Sequence, residues 1–184
     1  TQFITTLSDA ILNKIMAFTL DQLGDPPARF VFMIMGSEGR SEQTLKTDQD
    51  NAIIFEDVPE SDQAAVRAYF LKFGEIACDL LNQAGYDFCT GGVMAKNPKW
   101  CQPLATWKSY FNSWIWAAEA EDLLQASIFF DFRGGYGDFD LIDALRRHLF
   151  ASLEGWVGFF RHLTENALYF KPPIGFLRNF VVES

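Results

Sequence analysis

Cysteine is scarce in this chain. The three present, Cys78, Cys89 and Cys101, show no metal-ligand spacing, and their odd number suits reduced thiols in a cytosolic protein. They read as small buried apolar residues. Basic residues are also few: 15 Lys and Arg against 24 Asp and Glu leave a net charge of -9. That balance speaks against a nucleic-acid partner, which needs a basic face. Nucleotides stay compatible with it, because metal ions carry the positive charge for them. There are only two histidines, His148 and His162. Both lie far in sequence from the notable acids and read as structural. No apolar run approaches membrane-spanning length, and the start lacks the basic-then-apolar pattern of a signal peptide. The expectation is therefore a cytoplasmic protein with no membrane partner. Internal repeats and low-complexity segments are missing too. What the chain has in quantity is apolar bulk, 49% of its 184 residues with 19 Phe, enough for one substantial core and a helical appendage. Lacking an initial Met, it reads as an excised domain.

The stretch 31–55, VFMIMGSEGRSEQTLKTDQDNAIIF, organises the rest. Residues 31–35 are an apolar run too short for most helices and predict a buried strand; 52–55 predict its partner. Between them stand Gly36-Ser37, Gly39-Arg40, and the pair Asp48 and Asp50. Positions i and i+2 of a strand share a face, so both carboxylates would project side by side toward the turn. Like charges that close repel, and a divalent cation relieves them. Small residues let backbone N–H groups approach an anion, with a hydroxyl and a guanidinium nearby. A phosphate cradle facing a metal-binding acid pair is minimal equipment for phosphoryl or nucleotidyl transfer. Neither the Walker pattern nor the dinucleotide fingerprint is present.

Helical spacing at Phe3, Leu7, Ile11, Ile15, Phe18 and Leu23 predicts a helix over 1–23, ended by Gly24-Asp25-Pro26-Pro27. The connection 36–48 has room for a short helix over 41–45. A helix capped by Ser61 would bury Val66, Phe70, Phe73, Ile76, Ala77, Leu80 and Leu81 and end at Gly85. Loose alternation over 86–94, broken by Gly91-Gly92, predicts a bulged strand. Asn97-Pro98-Lys99 predicts a turn. Trp107, Tyr110, Phe111 and Trp114 form a helical stripe within 104–118, read as core. SIFFDF (127–132) predicts a strand with Asp131 near its end, and an acid there calls for a metal or a cation. Gly134, Gly135 and Gly137 predict a loop. Asp138 or Asp140 would cap a helical region running to about residue 169 and broken near Gly155 or Gly158.

Plainer readings exist for each motif. The glycine turn can be an ordinary tight turn, and Asp48-x-Asp50 a solvated strand entry or an Asx turn with Asn51. Asp131 can cap a helix or pair with Arg133, which shares its strand face by period two. Arg133 could instead contact a triphosphate. Arg40 can pair with Glu42, and Lys46 can be a surface charge.

In combination, residues 36–54 resemble the signature of the DNA polymerase β-like nucleotidyltransferase superfamily. More narrowly, they resemble the bacterial nucleotidyltransferases related to the N-terminal domain of PII-protein uridylyltransferase, in which a Gly-rich turn with Arg and Glu (here Gly39-Arg40 and Glu42) precedes the Asp pair. The similarity extends through GGVMAKNPKW (91–100) and SIFFDFR (127–133). It implies an α/β (α+β) fold with a short mixed sheet flanked by helices, organised as a catalytic domain over 1–140 and a helical C-terminal region over 141–184. It also implies that Gly36, Ser37, Gly39, Arg40 and Arg133 bind the nucleotide. Asp48, Asp50 and Asp131 would hold two Mg²⁺ ions (or Mn²⁺), with Asp131 beside the attacking hydroxyl. The reaction would move an NMP group from an NTP to an acceptor hydroxyl, with a protein as the favoured acceptor. Fused CBS or cyclic-nucleotide-binding domains are the partners implied. A nucleotide-sensing module without turnover is one alternative. Small-molecule transfer is another, in an acceptor pocket lined by Trp100, Trp107 or Trp114.

Overall fold

The computed structural model describes residues 2–41, 48–116 and 127–154. At its centre lies β1 (Phe30–Met35), in which all six residues are buried. A strand covered on both faces reads as a continuous apolar run, because alternate side chains enter opposite cores. Phe30, Phe32 and Ile34 join one core, and Val31, Met33 and Met35 the other. β2 (Asn51–Phe55) pairs antiparallel with β1, setting Phe30 against Phe55. β3 (Cys101–Pro103) runs parallel to β2, and β4 (Phe132–Gly137) runs antiparallel along the other side of β1. The order β3-β2-β1-β4 is the short mixed sheet, flanked by helices, that the sequence led one to expect.

One layer consists of α1 (Gln2–Leu23) and α3 (Glu60–Gln83). Helix α3 buries Val66, Phe70, Phe73, Ala77 and Leu81 at helical spacing and stops at Gly85, whose φ is +101°. Ser61 does not cap it: the helix starts at Glu60, and the Ser61 hydroxyl donates to Asp62 instead. The other layer holds α4 (Leu104–Ile115) and, after a short turn Gly36–Gly39 (α2) described below, α5 (Asp140–Leu153). Neither Asp138 nor Asp140 caps α5: its N-cap is Phe139, which makes no side-chain cap bond, and Asp138 Oδ1 only accepts the Asp140 N–H at 3.0 Å from one residue further out. Leu141, Ile142, Leu145 and Leu149 of α5 share a core with Trp107 and Phe111 of α4. Trp107 is fully buried and its indole N–H donates to the Ile53 carbonyl at 3.1 Å. Trp100 and Trp114 stack within 4.6 Å of the Phe129 ring centre. The aromatic stripe is therefore core, as expected.

Several expectations fail. The buried face of α1 is Ser8, Leu12, Met16 and Thr19, whereas Phe3 and Phe18 are 80% and 55% exposed. The two polar residues are admitted because they are bonded: Tyr86 O–H donates to Ser8, and Thr19 donates to the Ile15 carbonyl. One apolar run, in this same helix, does reach membrane-spanning length. Phe3–Leu23 is long and apolar enough, by length and composition, to cross a membrane, a test that core helices also pass. Residues 86–94 form no strand; they contribute only an isolated bridge, Asp87 to Asp48. SIFFDF is likewise not a strand. Ser127–Phe129 is a 3₁₀ turn that wedges Phe129 among the tryptophans, and β4 begins only at Phe132. The glycines at 134, 135 and 137 lie inside β4, not in a loop. Gly135 is the unpaired residue of a bulge opposite Phe32 and Met33, and a Cβ there would meet Ile34 and Leu12 at 2.6 and 2.7 Å. Residues 42–45, the end of the long C-terminal helical expectation, Glu42, Lys46 and His162 lie outside the described residues.

Candidate active site

The site forms where β1 ends. Gly36 takes φ +62°, a left-handed conformation that L side chains rarely adopt, and a Cβ there would stand 3.2 Å from Asp50 Oδ2. The Met35 N–H donates to the Asp50 carbonyl at 2.9 Å, which ties the turn to the acid segment. Ser37 is exposed on this turn. Gly39 packs on the backbone of Asp131, whose carbonyl oxygen occupies the place a Cβ would need.

The segment Asp48-Gln49-Asp50-Asn51 alternates acid and amide, and the two kinds face opposite ways. Gln49 and Asn51 are buried, at 2% and 3% exposure. Gln49 Nε2 donates to the carbonyls of Cys78 (2.9 Å) and Tyr86 (3.0 Å), and its N–H to Asp87 (2.8 Å). Asn51 Oδ1 accepts the Ala95 N–H at 2.8 Å. These amides anchor the segment, and period two then presents Asp48 and Asp50 together on the other side. The sequence reading missed Gln49 and Asn51; strict acid–amide alternation was the available signal. Gln49→Leu should cost about 1–3 kcal/mol in urea unfolding, because it strands two buried carbonyls, and should weaken metal binding by loosening both aspartates.

Asp48, Asp50 and Cys89 place one ligand atom each within 4.8 Å of one another. Asp50 Oδ1 is buried and has no hydrogen-bond partner. Burial raises the Asp50 pKa; the Cys89 thiol, donating to the carboxylate, pulls it back, and the Asp48 charge raises it further. A buried carboxylate oxygen with no donor, beside a second carboxylate, fits a divalent cation. Glu38 is pushed up to about 7 by burial, against the Arg133 guanidinium, which favours its charge, and with Asp9 and Asp50, which oppose it. Together with Ser8, Gln49, Asn51 and Tyr86 it borders a cavity of about 10 Å³, the room one water needs.

The remaining expected residues are placed differently. Asp131 lies at a bend and is not part of the Asp48–Asp50–Cys89 group. Its Oδ2 meets Arg40 Nη1 at 2.6 Å, with both side chains a little over 40% exposed. Arg133 does not neutralise Asp131. It pairs with Asp9 at 2.8 Å and donates to the Glu38 carbonyl at 3.0 Å, bracing α1 against the turn. His148 contacts Asn112 and Ser152, away from the acids, in keeping with a structural role.

A family model described as "Putative nucleotidyltransferase DUF294" matches residues 1–121. The chain belongs to this family. No curated protein matches it. The matched residues run from α1 through α4, so they include the glycine turn, the Asp pair and Cys89, while Asp131 and β4 lie beyond them. At the level of reaction class the protein is a nucleotidyltransferase, whose donor is a nucleoside triphosphate. Asp48, Asp50 and Cys89 are the candidate metal-binding group of this nucleotidyltransferase.

Proposed function

We propose that this nucleotidyltransferase moves an NMP group from an Mg²⁺-bound NTP to a hydroxyl on a protein acceptor, in the manner of the PII-uridylyltransferase relatives it resembles. The observation that carries the reading is the orphaned Asp50 Oδ1 beside Asp48, directly under the glycine turn. Asp48 and Asp50 would hold the metal, which supplies charge neutralisation for the phosphates and for the leaving pyrophosphate. Gly36, Ser37 and Gly39 would hold the triphosphate, with the exposed Ser37 on the turn meeting it. The acceptor oxygen forms a bond to the α-phosphorus, the bond to the β-phosphate oxygen breaks, and the acceptor proton leaves to a base.

Asp131 is that base, or a further metal ligand, once Arg40 releases it. The two side chains are exposed enough to part, and an incoming triphosphate competes for the Arg40 guanidinium. Substrate binding would then free the third acid when it is needed. The same ion pair supports a second reading, a nucleotide-sensing module without turnover, in which Asp131 stays bound to Arg40. Small-molecule transfer loses its main support, because Trp100 and Trp107 are buried and Trp114 packs on Phe129.

Calorimetric titration of ATP, UTP, GTP and CTP with Mg²⁺ tests the proposal. Metal-dependent binding that Asp48→Ala/Asp50→Ala abolishes is the expected result. A folded wild type that binds no NTP would overturn it. Pyrophosphate release with a protein acceptor separates transfer from sensing.

A further inference from the structure

Cys89 is the group at this site that neither the reaction above nor the sequence spacing assigns. It differs from the other two cysteines. Cys78 and Cys101 are buried, and burial pushes their thiols up to about 11 and about 12. Cys89 is only half-buried; burial and the Asp50 carboxylate raise its thiol as well, while the backbone N–H groups of Val93 and Gly91 work against that rise. A turn closed by the Gly92 N–H donating to the Cys89 carbonyl at 3.0 Å sets its position. The isolated bridge between Asp48 and Asp87 carries the same loop to the acid pair.

We propose that Cys89 is the third protein ligand of the metal centre, giving it two carboxylates and one thiolate, so that it takes thiophilic divalent ions such as Zn²⁺ or Co²⁺ as well as Mg²⁺. The proposal rests on the reading of Asp48 and Asp50 as the metal pair and adds the donor that admits the softer ions. Two independent observations support it. The three donor atoms converge within 4.8 Å, and the Asp50 carboxylate keeps one buried oxygen, Oδ1, without a hydrogen-bond partner. Donors around a tetrahedral ion of this class lie about 3–4 Å apart, and rotation of the exposed Asp48 side chain closes the difference. Asp131, held by Arg40, leaves that position to the sulfur. Three protein ligands leave a coordination position open, the arrangement of a catalytic and not a closed structural site. On binding, the S–H bond to Asp50 is replaced by a metal–sulfur bond, and the thiol proton passes to solvent. Hard oxygen-only sites suit Mg²⁺, and a thiolate shifts the preference toward softer ions.

The test is titration of the full chain with Co²⁺, read by the near-ultraviolet thiolate-to-cobalt charge-transfer band, alongside Mg²⁺–NTP calorimetry. Wild type should show the band. Cys89→Ser should lose it and bind Co²⁺ at least about tenfold more weakly. Cys78→Ser should keep the band. A wild type that binds Mg²⁺–NTP but gives no band, or a band that survives Cys89→Ser, overturns the role of Cys89 and leaves the Asp pair standing. Loss of both Co²⁺ and Mg²⁺–NTP binding in wild type overturns the site reading itself.

Discussion

Asp50→Asn should raise the melting temperature of the apo protein and abolish metal-dependent nucleotide binding. The two effects have one cause. Folding buries Asp50 Oδ1 without a donor and sets the carboxylate beside Asp48, so the ionised form is disfavoured in the folded state. An amide of the same shape removes the charge. Because the folded pKa is raised, this carboxyl costs stability as pH rises above its unfolded value, and Asp50→Asn removes that cost. The same charge is what a cation would bind. Transfer should fall on the order of 10²–10³-fold, the scale of removing one preorganised charge-stabilising group. Calorimetric melting and NTP titration on one preparation check both halves. A melting temperature that drops would show that Asp50 is stabilised by partners in the apo fold, and the metal argument would lose its footing. Such opposition between stability and function is expected where strain is kept at a working site.

Glu38→Gln should change how stability depends on pH. Glu38 sits in the turn between the Asp pair and α1, with its pKa raised from 4.5 to about 7, chiefly by burial. Below the unfolded value both states hold the proton and no penalty exists. As pH rises from there through the folded value, the unfolded chain has released a proton that the native state retains, so stability falls. Above the folded value the full penalty, about 3 kcal/mol, is present. Wild-type stability should therefore decline between about pH 5 and about pH 8, and Glu38→Gln should flatten that decline. At the upper end the variant should be more stable by up to about 3 kcal/mol, less whatever the attraction between Glu38 and Arg133 contributes. Urea unfolding across the window measures it. A wild type already flat over that range would mean that the Glu38 carboxylate is solvated. Arg133 links this behaviour to α1, because its guanidinium holds both Asp9 and the Glu38 carbonyl.

Much of the site was legible because local rules produced it. The apolar run 31–35 had to be a strand buried on both faces, being too short and too continuous for most alternatives. Gly36 had to be glycine for a left-handed turn, and alternation had to put Asp48 and Asp50 on one side. Local rules failed where a distant segment decided the outcome. SIFFDF has strong β propensity, yet Phe129 gains more by wedging into the Trp100–Trp114 cluster than by pairing in a ladder, so the strand starts later. The glycines of β4 look like a loop until Leu12 of α1 and the Phe139 ring are seen across them.

By itself the sequence determined the strand–turn–acid unit, which depends on residues close together in the chain, and the family and reaction class, which the match over residues 1–121 carries. The tertiary structure alone decided which groups meet. It brought Cys89 to the Asp pair across some 40 residues, gave Asp131 to Arg40 and sent Arg133 to Asp9. It also turned Gln49 and Asn51 inward, to backbone partners on α3 and the loop that follows it. Spacing along a chain fixes the direction of a side chain relative to its own element; which partner waits there depends on how the elements pack.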